Sequence, residues 1–360
     1  MKPVSVQPLS LDRARLATDN FLHGFIQERI KMADSISPTY GDTWRAIDKL
    51  VRAGGKRLRP YMVGLSYGAF SSDMDYDRIL PAMVAEELFH QAVLIHDDII
   101  DRDTVRYGAP NIAGQYDSIY QSLIDDDTER RHFSNSAALL AGDLLLSSAY
   151  QVLQRTKVEN GNLVAATETF AEAIFAVSGG ELLDTETAFR STGGADAYTI
   201  ALHKTARYSF VGPLLVGAEL AGASNDAIDS LREFGEKLGV AFQLQDDLLG
   251  VYGDSAETGK STSSDIVEGK RTFMIEMFEK LADDQQRREF STIFHKLDAN
   301  DEQIDRARVL LDISGARQAV ETEIDSLRSL AVEALDAVDI DSVFRSAFVQ
   351  LADLATRRSK

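Results

Sequence analysis

Seven stretches of this chain, at 80–100, 136–154, 163–184, 197–221, 227–252, 271–281 and 316–336, space their apolar residues three and four positions apart. That spacing lines one face of a helix and cannot serve a strand, whose faces alternate every residue. Proline occurs only seven times and strand signals are weak, so little in the sequence interrupts helices. The expected fold is all-α. Gly-rich and polar breaks fall near 53–55, 104–116, 157–162, 190–195 and 253–270. Asp125-Asp126-Asp127-Thr128-Glu129-Arg130-Arg131 reads as an exposed loop. With no fixed-period repeat and no linker-like segment, one domain over residues 1–360 is expected. Its motif-bearing core lies at about 45–280, and the charge-rich helices after about 285 are expected at its periphery.

Two of the apolar runs end in aspartates: Asp97-Asp98-Ile99-Ile100-Asp101, and Asp246-Asp247 after Gln243-Leu244-Gln245. Carboxylates on an apolar helix need partners. At 100° per residue, Asp97 and Asp101 lie about 40° apart and His90 within about 20° of Asp97. Two such clusters facing each other would cage a hard cation. Oxygen-only ligands select Mg²⁺ or a similar ion, which typically takes one or two carboxylates and completes its shell with phosphate oxygens.

The chain has no cysteine and a net charge of −19. The first excludes disulfides and thiolate metal sites. The second disfavours nucleic acid as a partner and confines any phosphate site to a local island of basic groups. No apolar run of about 18 residues is evident, so no membrane span is expected. The N-terminus lacks a secretory apolar core, and a cytoplasmic protein is expected. The basic candidates are Lys56 and Arg59 in Gly54-Gly55-Lys56-Arg57-Leu58-Arg59-Pro60, then Arg106, Lys204, Lys260 and Lys270. Arginine offers a planar fork to phosphate oxygens, lysine a point charge.

Taken in order, these residues resemble the trans-isoprenyl diphosphate synthases of the polyprenyl synthetase family. The resemblance covers roughly 45–280. It runs through Gly54–Pro60, His90, Asp97–Asp101, Arg106, Lys204-Thr205, Phe242-Gln243-Leu244-Gln245-Asp246-Asp247, Gly253-Asp254, Gly259-Lys260 and Glu268-Gly269-Lys270. The resemblance implies an all-α bundle with a central cavity, a homodimer, and up to three Mg²⁺ ions. It also implies head-to-tail condensation of isopentenyl diphosphate with an allylic diphosphate. By position it makes Asp97, Asp101 and Asp246 metal ligands, assisted by Asp98 and Asp247. Arg106, Lys204, Lys260 and Lys270 would hold the allylic diphosphate; Lys56, Arg59 and His90 would hold isopentenyl diphosphate. Thr205 and Gln243 would lie near the reacting carbon.

Two departures stand out. Tyr107 follows Arg106 where the family usually has a second arginine, which implies weaker isopentenyl diphosphate binding. Gly250 ends the second cluster where many relatives carry a third aspartate. On product length, Phe89, Ala92 and Val93 lie on the side of the helix along which a chain would grow away from Asp97. No bulky aromatic stands four or five residues before Asp97, so more than fifteen carbons are expected. With Phe89 as the floor the product is geranylgeranyl diphosphate, of twenty carbons; with Phe89 as ordinary core, longer products follow. A terpene cyclase would not need Lys56, Arg59 and His90. A non-catalytic subunit of a heteromeric synthase would tend to lose the aspartates.

Overall fold

The computed structural model describes residues 7–187, 189, 195–253 and 264–357. Lys260, and most of the breaks at 190–195 and 253–270, lie outside them. The described chain is helical, as the apolar spacing predicts, apart from one two-stranded ribbon at residues 105–110. Two compact units are distinguished, one of residues 1–168 with 216–223, the other of 169–215 with 224–360.

In the first unit, α1 (Leu11–Asp34), α2 (Pro38–Arg52), α3 (Leu58–Phe70), α4 (Tyr76–Ile100), α5 (Ile112–Tyr120) and α6 (Asp127–Leu153) pack around α4. Helix α4 buries Ile79, Met83, Val84, Leu88, Phe89, Ala92 and Ile95, and its most extensive partner is α6. Local chemistry sets the helix starts. Ser10 and Ser37 each accept a hydrogen bond from the backbone N–H three residues on, and Pro38 takes the first helical position. The acidic segment at 125–131 is not the loop its polarity suggests. Asp126 accepts from the N–H groups of Thr128 and Glu129 and caps α6, which begins at Asp127. Arg130 is buried against Asp117 and Asp127. Acidic residues satisfy the free N–H groups of a helix start, so a charged run there is a helix signal.

Helices α7 (Asn160–Thr187), α8 (Ala197–Ile200) and α9 (Gly212–Leu220) follow α6, and α10 (Asn225–Tyr252) is central to the second unit. It packs against residues 201–211 and against the helix Ala316–Ala334. Val320, Ile324 and Leu327 of that helix join Val240, Leu244 and Leu248 of α10 in one buried cluster. The C-terminal helices, expected at the periphery, thus supply part of this unit's core. Their charges occupy the outward faces while every third or fourth residue is buried. Residues Ala201–Val211 form a π-helix, a geometry that the apolar spacing of 197–221 does not distinguish from α. Glycines allow close approach on both sides of it. A Cβ on Gly180, in helix Asn160–Thr187, would stand 2.2 Å from the Lys204 backbone nitrogen, and one on Gly239 of α10 would stand 2.4 Å from Ala206 Cα.

Among the described residues one helix, α6, is long and apolar enough to cross a membrane, and half of its apolar window is buried inside the structure.

Candidate active site

The first cluster closes α4. Asp97 is partly exposed, Asp98 is buried, and Asp101 is the exposed C-cap residue. Arg106 holds the first two: its Nε donates to Asp98 Oδ1 at 2.8 Å and its Nη2 to Asp97 Oδ2 at 3.2 Å. Burial pushes the Asp98 carboxyl up, opposed by Arg106. Arg106 stands at the base of a tight hairpin in which it pairs with Ala109. Tyr107 and Gly108 between them both have positive φ, as a two-residue turn of this hand requires. The Tyr107 side chain is 51 % exposed at the tip.

The three cations of 56–59 divide by environment. Lys56 is exposed and Arg59 half-buried, whereas Arg57 is buried. Arg57 Nε donates to Asp19 at 2.8 Å and its Nη1 to Glu87 at 2.8 Å; Nη1 and Nη2 also reach the carbonyls of Gly54 and Val51. A Cβ on Gly55 would stand 2.8 Å from Arg57 Nη1, so the glycine makes room for the guanidinium. Arg57, Arg59 and Arg106 all act on His90. Desolvation, with those three positive charges, holds its imidazole well below the usual histidine range. That setting favours the neutral imidazole. Phe89 and Ala92 are buried and Val93 half-buried on the same helix.

In the second unit, Lys204 and Thr205 project from the π-helix. Lys204 Nζ pairs with Asp184 at 2.6 Å and Glu181 at 3.0 Å. Thr205 Oγ1 donates to Gln243 Oε1 at 2.6 Å, and Gln243 Nε2 donates to Asp247 Oδ1 at 2.8 Å. Lys270 Nζ lies 3.8 Å from Asp247. Asp184, Lys204, Thr205, Gln243, Asp247 and Lys270 line one cleft. Asp247 is buried while Asp246, its neighbour on α10, is exposed. Burial pushes the Asp247 carboxyl up to about 7, with Lys270 pulling the other way. Glu181 and Asp184 escaped the sequence reading, although two carboxylates three residues apart on the apolar helix 163–184 carry the same signal as the clusters. The gap at Gly250 is also filled: a Cβ there would stand 2.6 Å from Asp265 Oδ2. The carboxylate missing from α10 is matched in space by one from helix Ser264–Val267.

Residues 43–311 match the sequence pattern of the polyprenyl synthetase family, and the chain belongs to that family. Among curated relatives, it is 32 % identical over 240 residues to a geranylgeranyl diphosphate synthase of Methanosarcina mazei, covering 66 % of this chain and 68 % of that one. It is 28 % identical over 355 residues to one from Sulfolobus acidocaldarius, covering 95 % and 100 %. Among solved structures, geranylgeranyl pyrophosphate synthase from Corynebacterium glutamicum, complexed with isoprenyl diphosphate and magnesium, superposes with a TM-score of 0.88 at 30 % identity. That match covers 98 % of this chain and all of the other. The fold is that of the isoprenyl diphosphate synthases.

Proposed function

We propose that this family member is a trans-prenyltransferase that condenses isopentenyl diphosphate head-to-tail with an allylic diphosphate. The product on this reading is a linear all-trans prenyl diphosphate, geranylgeranyl diphosphate of twenty carbons. The ordered motif set carries the proposal, supported by relatives and structures of that name that align over nearly the whole chain. A longer product is the second reading. It is favoured by a relative named geranylfarnesyl diphosphate synthase from Aeropyrum pernix, 29 % identical over 302 residues (81 % of this chain and 87 % of the relative).

The donor set fits Mg²⁺. Both clusters offer only oxygen, and each presents a carboxylate that is not enclosed, Asp97 in one and Asp246 in the other. Among the described residues no three acidic or histidine side chains form a ready-made cation cage. That suits an ion completed by substrate phosphate oxygens. Asp97, Asp101 and Asp246 would hold up to three ions, with Asp98 and Asp247 behind them. Bound there, Mg²⁺ supplies charge neutralisation of the leaving diphosphate.

The chain's own groups do the rest. Arg106, Lys204 and Lys270 draw the allylic diphosphate. Arg106 and Lys204 are already oriented by carboxylates, so less side-chain entropy is lost when phosphate displaces them. Lys56, Arg59 and neutral His90 hold isopentenyl diphosphate in register, the main entropic gain. The allylic C–O bond breaks, its electrons leaving with the diphosphate. The isopentenyl double bond attacks the cation, a C–C bond forms, and a proton is lost to the departed diphosphate. Thr205 and Gln243, locked to each other and to Asp247, present polar atoms to the cation.

The apolar side chains Ile119, Leu123, Leu139 and Leu140, exposed on and beside α5 and α6, support pairing with a second copy of the chain. The function is tested by incubating the purified protein with Mg²⁺, isopentenyl diphosphate and each allylic starter. Failure to release pyrophosphate with every starter refutes the reading, and mass spectrometry of the product decides its length.

A further inference from the structure

Arg106 reaches the first aspartate cluster from outside any helix. Residues 101–111 join α4 to α5, and their path is strained: Arg102 and Tyr107 have φ of 61° and 54°, which side chains other than glycine rarely adopt. The ladder of Val105–Arg106 with Ala109–Pro110 is two residues long, and so short a ribbon is not stable by itself. Arg106 nevertheless makes charged hydrogen bonds to both Asp97 and Asp98. Such aim needs a mount.

Asn111 supplies it. The residue is 2 % exposed, and its polar groups are committed to both ends of the connection. Its Nδ2 donates to the Asp103 carbonyl at 2.7 Å and its backbone N–H to the Thr104 carbonyl at 3.0 Å. Its Oδ1 accepts from the Gly114 N–H at 2.9 Å and so caps α5. The Asp103 N–H in turn donates to the Asp98 carbonyl at 2.8 Å. The chain of bonds thus runs from α5, through Asn111 and Asp103, to the residue that Arg106 grips. Gly114 permits the close fit, because a Cβ there would stand 2.2 Å from the Thr104 carbonyl oxygen. Burial pushes the Asp98 carboxyl up, and Asn111 joins Arg106 as a hydrogen-bond donor opposing it. Capping α5 needs only the side-chain oxygen, which serine would also provide. The amide nitrogen is the part that ties the base of the hairpin.

Building on the prenyltransferase reading, we propose that Asn111 is a positioning residue whose amide nitrogen fixes the hairpin so that Arg106 stands ready for the allylic diphosphate. On that reading Arg106 meets the substrate and Asn111 acts through it. Without the amide, the segment 102–110 must be ordered when the diphosphate binds, and that entropy falls on the allylic substrate.

The test replaces Asn111 by serine in the full-length protein, keeping the cap and removing the amide nitrogen. In Asn111→Ser, KM for the allylic diphosphate rises about three- to tenfold, as loss of one buried hydrogen bond implies. KM for isopentenyl diphosphate and kcat do not follow it. Asn111→Ala, which loses cap and tie together, adds a fall in Tm to the same KM change. In an Arg106→Gln background, Asn111→Ser adds nothing further to the allylic KM. Hydrogen exchange at 102–110, read by mass spectrometry on the protein without substrate, is faster in Asn111→Ser than in the parent. That readout needs no turnover, so an inactive parent refutes the synthase reading while the positioning is still measured. Unchanged exchange at 102–110 overturns the proposal, as do additive losses in the double variant or equal rises of both KM values. A serine variant that does not fold also overturns it, because Asn111 would then serve stability alone.

Discussion

Replacing Arg57 by alanine tests how the basic run at 56–59 divides between stability and binding. Arg57 is enclosed and spends its donors on protein: Asp19, Glu87 and two backbone carbonyls. Glu87 is itself buried, so removing the guanidinium strands an anion inside the first unit. Breaking a buried pair from one side costs about 3–5 kcal/mol, which for a unit of this size lowers Tm by about 6–20 °C. The left-handed backbone of Arg57, φ 53°, offsets little of this. Glycine would accept that φ without strain yet still leave Glu87 unpaired, so Arg57→Gly should also melt early. Arg57→Lys keeps a charge for Glu87 but loses the fork to the carbonyls of Val51 and Gly54, and should fall between, at about 1–3 kcal/mol. Lys56→Ala should do the reverse: stability within about 0.5 kcal/mol of the parent, because Lys56 is exposed, with a raised KM for isopentenyl diphosphate. Circular dichroism melts and initial-rate kinetics well below Tm separate the two effects. An Arg57→Ala protein with unchanged Tm and a sharply raised isopentenyl diphosphate KM would refute the division.

Gly250→Asp restores the third aspartate on paper, yet the new side chain meets Asp265 Oδ2, 2.6 Å from its Cβ. It should lower Tm and raise neither Mg²⁺-dependent pyrophosphate binding nor rate, and Asp265→Ser in the same chain should relieve the loss; a gain in binding from Gly250→Asp alone would show that the place was vacant. Phe89→Ala removes a fully buried ring at a cost of about 3–5 kcal/mol and should lengthen the product seen by mass spectrometry; an unchanged product excludes Phe89 as the floor. The Asp247 carboxyl, raised by burial above its unfolded value of 3.8 to about 7, contributes stability that is present below about pH 4 and lost as pH rises through 7. Asp247→Asn should flatten that decline in melts of the metal-free protein, and equal slopes in both proteins would contradict it.

Periodicity and local chemistry carry the helices. Apolar spacing and scarce proline require an all-α chain whatever its tertiary arrangement, because both act within one turn of backbone. The aspartate clusters were legible for the same reason, since an anion ending an apolar run conflicts with its own neighbours. The helix at 127 was misread because a capping aspartate and a solvated loop have the same composition. Arg57 and Arg59 could not be told apart in sequence, two residues apart and chemically alike. Their difference lies in Asp19 and Glu87, thirty or more residues distant.

What the sequence determined by itself is therefore the fold class, the family and the candidate ligand types, all properties of short segments and their order. Tertiary structure alone decided which charges are spent on the fold and which remain for substrate. It set Lys204 and Thr205 on a π-helix that Gly180 and Gly239 approach closely, and filled the gap at Gly250 with Asp265. The physical reason is that burial and distance fix the energy of a charge, and both are set by residues far away along the chain.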